Sequence, residues 1–302
     1  MRYAAVGLGL LMMLMSDTVM AACSHGADVF RQSVLPALFP MMILCGLMGR
    51  LRPVGGPKWL IYAETGVFCL LSGSPASAKR VNAFVQNDEH FTRNALVMMA
   101  FCGVMSPVFF LGTLQSRLPQ GFGVMLLLCH WLGAAVTGMA ALLLCPHSPI
   151  KHSSKIKLPD PSPADFAPGG SLLRALPPAV TDAMGSLLSV LGAMMVMGVA
   201  AALLERGLSL LLPEKWQSPL FFAILHALME IGGGAVRLTE VCTDAPLLCG
   251  LCSFGGLSLW MQCLLFLPKE IHPGKLLLLR LFHGAVSYGL CAFAMMIRVW
   301  IG

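Results

Sequence analysis

The stretch 122–145 contains no Asp, Glu, Lys or Arg. A segment that long and that apolar satisfies its backbone polar groups away from water by coiling into a helix, and about 20 such residues cross the hydrocarbon of a bilayer. The segments 3–22, 29–49, 94–115, 182–204, 245–267 and 276–297 have the same character, with at most one charged residue apiece. Composition points the same way: 57% of residues are hydrophobic, 11% are charged and the mean hydropathy is +0.79. That leaves too little polar surface to cover a water-soluble globule. The sequence therefore predicts an all-α polytopic membrane protein whose first partner is the lipid bilayer. A net charge of +6 would suggest nucleic acid for a soluble protein, but here the cations fall in short loops, where they set orientation. Nucleic acid is not an expected partner.

Two weaker apolar segments, 58–80 and 217–240, carry small-residue breaks that end in a cation: Ser72-Gly73-Ser74-Pro75-Ala76-Ser77-Ala78-Lys79 and Glu230-Ile231-Gly232-Gly233-Gly234-Ala235-Val236-Arg237. Each has the length of two half-helices and fits a re-entrant hairpin better than a crossing. The resulting organisation is an anchor helix (1–26), a first repeat (27–145), a polar cytoplasmic linker (146–178) rich in Lys, Pro and Gly, and a second repeat (179–302). With the N-terminus cytoplasmic, thirteen cations fall inside and six outside, as the positive-inside rule requires. Arg2, the apolar run and Met20-Ala21-Ala22-Cys23 also resemble a cleaved signal, but retention as an anchor gives the better count.

The halves align at an offset of about 150 residues: Gly123, Leu126, Gly133, Ala134 and Gly138 match Gly274, Leu277, Gly284, Ala285 and Gly289. Each half holds three crossings and a hairpin, and an odd number of crossings makes the second half an inverted copy of the first. Transporters build mid-membrane sites from such repeats and broken helices.

The chemistry is expected at the interruptions. In the first hairpin, Gly73 and Pro75 end one half-helix, and the hydroxyls of Ser72, Ser74 and Ser77 with freed N–H groups can bind carboxylate oxygens at the start of the next. Lys79 would add charge there; the other reading is a tight turn of small residues with Lys79 snorkelling to the interface. Ser106-Pro107 removes one helical hydrogen bond and exposes a carbonyl. Its counterpart, Gly255 and Gly256 after Ser253-Phe254, loosens the backbone through glycine. Glu230 and Glu64 are the acidic groups expected deepest in the hairpins, where a carboxylate is costly. Glu230, with Gly232 and Gly233, would hold a coupling proton or Na+; alternatively it pairs with His226 one turn earlier. His130 is expected to satisfy a core hydrogen bond. Arg280 is expected to snorkel near the cytoplasmic end, or else to offset a dianionic solute. The Cys residues, including the Cys249/Cys252 pair, read as packing residues without a metal-ligand pattern. No phosphate loop and no paired nucleophile and base occur, so neither an enzyme nor a bound cofactor is expected.

Several of these segments resemble one family. Ala27-Asp28-Val29 through Leu35-Pro36-Ala37-Leu38-Phe39-Pro40 is similar to a "VLPSLFPF" motif, Leu71 to Lys79 to "SGYPMGAK", Phe101 to Phe109 to an Asn-x-Ser-Asn/Ser-Pro-Leu-Phe break, Cys129 to Gly133 to "AHYLG", Leu228 to Ile231 to "LLEI" and Phe254 to Ser258 to "FGGLS". In that order, over about 27–297, they resemble the sporulation integral membrane proteins of the YlbJ (SpoVV) type, within the nucleoside-recognition (Gate) family. The resemblance implies a fold similar to concentrative nucleoside transporters and movement of dipicolinic acid across the outer forespore membrane during sporulation. It departs from the family's pattern at Ser74, where the motif has Tyr, and at Cys102-Gly103, where the motif has Asn. On this reading the chain is a secondary transporter or facilitator of a small organic anion. Alternatives are a nucleoside-like solute carrier and a non-transporting gate or scaffold acting with sporulation membrane partners or as a homo-oligomer.

Overall fold

The computed structural model describes residues 2–50, 58–85, 91–144 and 172–301. A short α1 (Arg2–Leu14) precedes α2 (Ser16–Val29), a π-helical turn (Phe30–Val34) and α3 (Leu35–Arg50), which run on as one rod. Helices α4 (Lys58–Ser72) and α5 (Ala76–Val85) form a hairpin. α6 (Phe91–Cys102) opens into extended chain and resumes as a π-helical turn (Phe109–Leu114), and α7 (Phe122–Leu144) follows. The second half repeats the order. It contains the long α8 (Leu172–Leu211), a hairpin of α9 (Pro219–Met229) and α10 (Ile231–Val241), a broken rod of α11 (Ala245–Phe254) and α12 (Gly256–Phe266), and α13 (Pro273–Ile301). Among the described residues five helical segments are long and apolar enough to cross a membrane: Ser16–Met48, α7, α8, Ala245–Phe266 and α13. The protein is an all-α polytopic membrane protein.

The side chains are distributed as lipid requires. On α7, Val124, Leu128, Leu132, Val136 and Met139 stand exposed, whereas Gly123, His130, Gly133, Thr137 and Gly138 are buried. Apolar groups face the hydrocarbon, while small and polar ones face protein, where close approach and hydrogen bonding hold helices together.

Equivalent rods of the two halves run antiparallel. Gly46 on α3 lies against Ala179 and Gly26 on α2 near Met195, and Arg50 bonds Asp182 at 2.6 Å. On α7 and α13, Phe122 lies 4.6 Å beneath the Arg298 guanidinium, and the His130 carbonyl accepts from His283 Nε2 at 2.9 Å. The two largest apolar cores draw on both halves. One gathers Phe110, Leu126, Ile231 and Leu248; the other gathers Val81, Met99, Cys263 and Leu276.

The N-terminal 50 residues differ from the expectation of two crossings at 3–22 and 29–49. The helix breaks at Met15, and one segment of 33 residues covers Ser16–Met48, because Cys23-Ser24-His25-Gly26 continues the helix without a proline. The α1 helix has 13 residues, about 20 Å, short of the hydrocarbon thickness. The rod's one irregularity has a local cause. Pro36 lacks an N–H and its ring crowds the carbonyl one turn back, so the preceding turn widens and Leu35 N–H bonds the Phe30 carbonyl.

Candidate functional site

Each hairpin tip packs backbone to backbone on the helix break of its own half. In the first, Gly73 adopts φ 71° and Ser74 N–H donates to the Val104 carbonyl at 2.6 Å. A Cβ at Gly73 would overlap the Ser106 backbone, so the turn requires glycine for conformation and for space. In the second, Gly255 and Gly256 adopt φ 82° and 69°. A Cβ at Gly256 would stand 2.9 Å from the Ala227 carbonyl oxygen and 3.2 Å from Ile231 N.

Where the two tips and two breaks meet lies a cavity of about 70 Å³, room for a handful of waters. Ser33 and Val34 of the first π-helical turn, Ser74 of the first tip, and Met105, Ser106 and Phe109 of the first break line one part. Met194, the second tip (Glu230, Ile231, Gly232) and α12 (Ser258, Leu259, Gln262) line the rest. Both π-helical turns contribute, since widening a helix re-aims the side chains it carries.

Glu230 is half-buried and extended, with φ −137° and ψ 110°, and caps α10: its Oε1 accepts from Gly232 N–H at 2.8 Å and its Oε2 from Gly233 N–H at 2.7 Å. The hairpin therefore breaks at Glu230, and the glycines form the first turn of the next helix. The alternative pairing with His226 is overturned. An extended residue turns its side chain forward onto the following helix, so the one-turn-back geometry does not arise. His226 Nε2 instead bonds Glu205 Oε2 at 2.7 Å, and Arg237 forks the same carboxylate at 2.7 Å to each oxygen.

Arg280 also departs from expectation. It is 3% exposed and donates to the Gly103 carbonyl, to Ser74 Oγ at 3.0 Å and to Cys263 Sγ at 3.5 Å. The guanidinium thus sits at the carbonyl end of α6, where the helix dipole favours positive charge, one hydroxyl behind the cavity wall. It does not snorkel, because its face of α13 is turned into the protein. Glu64, expected deep, is exposed on the outside of α4.

His130 is fully buried and joins the two breaks. Met105 N–H donates to its Nε2 at 2.9 Å, which assigns the ring proton to Nδ1, 2.7 Å from Ser253 Oγ. It stacks on His283 with ring centroids 4.8 Å apart.

Of the residues singled out in the sequence, Ser74, Ser106, Glu230 and Gly232 line the cavity. Gly73, Gly255 and Gly256 shape the tips and breaks from behind, while Gly233 donates to Glu230. Ser72 Oγ turns back to the Cys69 and Gly73 carbonyls at 3.5 Å, and Ser77 Oγ lies 3.1 Å from Ser74 Oγ. Pro107 is just past the wall. Lys79 points away from the cavity, its Nζ donating to Ser186 Oγ at 2.9 Å, so it brings no charge to the tip. Sequence reasoning missed Ser33, Ser258 and Gln262. The last two are polar residues one turn apart in an apolar span, joined at 2.9 Å, and that spacing was a usable signal. Comparisons of the sequence with protein-family models, with curated proteins and with solved structures find no match; the functional assignment rests on the site's own geometry.

Proposed function

We propose that this protein is a secondary transporter or facilitator of a small organic anion, built as an inverted repeat, with the cavity as its mid-membrane binding site. The observation that carries the proposal is that both hairpin tips, the first break and α12, which starts at the second break, meet around one cavity. Irregular backbone at membrane depth is tolerated where it lines a cavity, and half-helix ends at that depth supply dipoles for charged solutes. The antiparallel pairing of α3 with α8 and of α7 with α13 is what a two-fold axis in the membrane plane produces. Arg280, bonded to a carbonyl, a hydroxyl and a thiol, keeps positive charge for a carboxylate arriving at Ser74.

Dipicolinate, the solute implied by the resemblance to YlbJ-type proteins, offers carboxylates and a ring nitrogen to Ser74, Ser106, Ser258 and Gln262. Protonation of Glu230 would remove its repulsion of an incoming anion, so anion and proton travel together.

The test is uptake of labelled dipicolinate, and in parallel uridine, into proteoliposomes. We expect saturable dipicolinate accumulation driven by external acid, reduced by Ser74→Ala and abolished by Glu230→Gln. Uridine flux in its place would reassign the substrate to nucleosides. Movement of neither solute by folded protein would replace transport with a gate or scaffold role.

A further inference from the structure

One exposed titratable side chain approaches Glu230 from outside the cavity. His25, on α2, is exposed, and its Nε2 stands 3.1 Å from the point that a Cβ on Gly233 would occupy, with Glu230 Oε2 3.4 Å from the same point. A single water can bridge atoms so placed, and His25 is within electrostatic reach of both Glu230 and His226. The imidazole comes this close because position 233 has no side chain. His25 belongs to the first third of a 33-residue rod, about 50 Å long, which overreaches a hydrocarbon layer of about 30 Å. A rod of that length carries its ends toward the interface with water, and His25 lies toward one of them.

We propose that His25 is the residue through which Glu230 exchanges its proton with water; the inference rests on the transport function proposed for the cavity. The proton arrives on the imidazole and leaves its N–H for Glu230 Oε2, directly or through one water. The carboxylate becomes a neutral acid, the imidazolium returns to neutral imidazole, and the ring takes its next proton from the surface. Histidine suits the step because its charge changes near neutral pH.

The neighbouring groups are otherwise engaged. Glu205 on α8 has both oxygens taken by Arg237 and one also by His226 Nε2. Arg237 on α10 also faces Glu240. The cavity-side neighbours of Glu230 on α8 and α12, which are Met194, Ser258, Leu259 and Gln262, do not titrate near neutral pH.

The experiment uses His25→Gln in proteoliposomes, since glutamine keeps hydrogen bonding and bulk but carries no proton. Acid-driven dipicolinate accumulation should fall by roughly a hundredfold, the scale of a lost proton-transfer group, while counterflow exchange, which needs no net proton movement, persists. Unchanged acid-driven accumulation overturns the inference and leaves the transport function standing. Should the wild type move no solute, the transport proposal fails separately, and infrared difference spectra on acidification decide the proton step. The carbonyl band lost in Glu230→Gln should exchange deuterium far more slowly in His25→Gln, and equal exchange overturns the inference. If His25→Gln does not fold, His25→Asn, which likewise carries no proton, must give the same loss of acid-driven accumulation or slowed exchange; wild-type behaviour overturns the inference.

Discussion

Arg280 is the side chain on which the chemistry of the cavity turns. Its removal leaves the Gly103 carbonyl without its donor and Ser74 Oγ to Ser77 Oγ, and a charge-assisted bond of that kind is worth about 1.5–3 kcal/mol. Arg280→Met is expected to weaken dipicolinate binding by about tenfold or more, measured by calorimetry on detergent-solubilised protein. Arg280→Lys, which keeps the charge and loses the planar fork, should fall between the two. His130 is the contrasting case, a polar residue held between backbone and hydroxyl. In His130→Leu the Met105 N–H and Ser253 Oγ are orphaned in the interior at about 1–3 kcal/mol each. The expected result is a lower melting temperature and lower abundance in the membrane. A temperature profile matching the wild type would show that the two breaks do not depend on this link.

At the scale of elements, the second hairpin closes through Gly234, whose Cβ position overlaps the Ala227 backbone. Gly234→Leu is therefore expected to prevent α9 and α10 from closing, leaving no monodisperse protein on size exclusion; a well-folded variant would mean that the arms can separate freely. Crossings such as 122–145 and 245–267 were legible in the sequence because apolar length is a property of the chain alone. The turn at Gly73-Ser74-Pro75 and the break at Gly255-Gly256 were legible because those residue types act on their own backbone. At the second hairpin the break was read as the whole stretch Glu230–Arg237, since three glycines resemble a hinge until Glu230 is seen capturing the N–H groups of two of them. The depth of Arg280 was not legible, because it depends on Gly103 and Ser74, neighbours distant in sequence; the continuity of α2 through 23–28 and the turn before Pro36 have local causes that a reading by apolar length passes over.

Across the whole molecule, the two largest apolar cores combine residues from 45–129 with residues from 223–291. The halves are interleaved and are not separable domains. Residues 1–145 and 172–302, produced as two chains, are each expected to be degraded alone and to co-purify when expressed together. Stable accumulation of either half by itself would mean that its core does not need the other. The two longest rods have a further consequence. The α8 rod has 40 residues, about 60 Å of helix, and supplies Met194 to the cavity; the Ser16–Met48 rod supplies Ser33 and Val34. A rod longer than its bilayer leans, and the lean follows membrane thickness at a fraction of a kcal/mol per Å. Because both leaning rods form cavity wall, the acyl chains of the surrounding lipid become a mechanical setting on how wide that cavity stands.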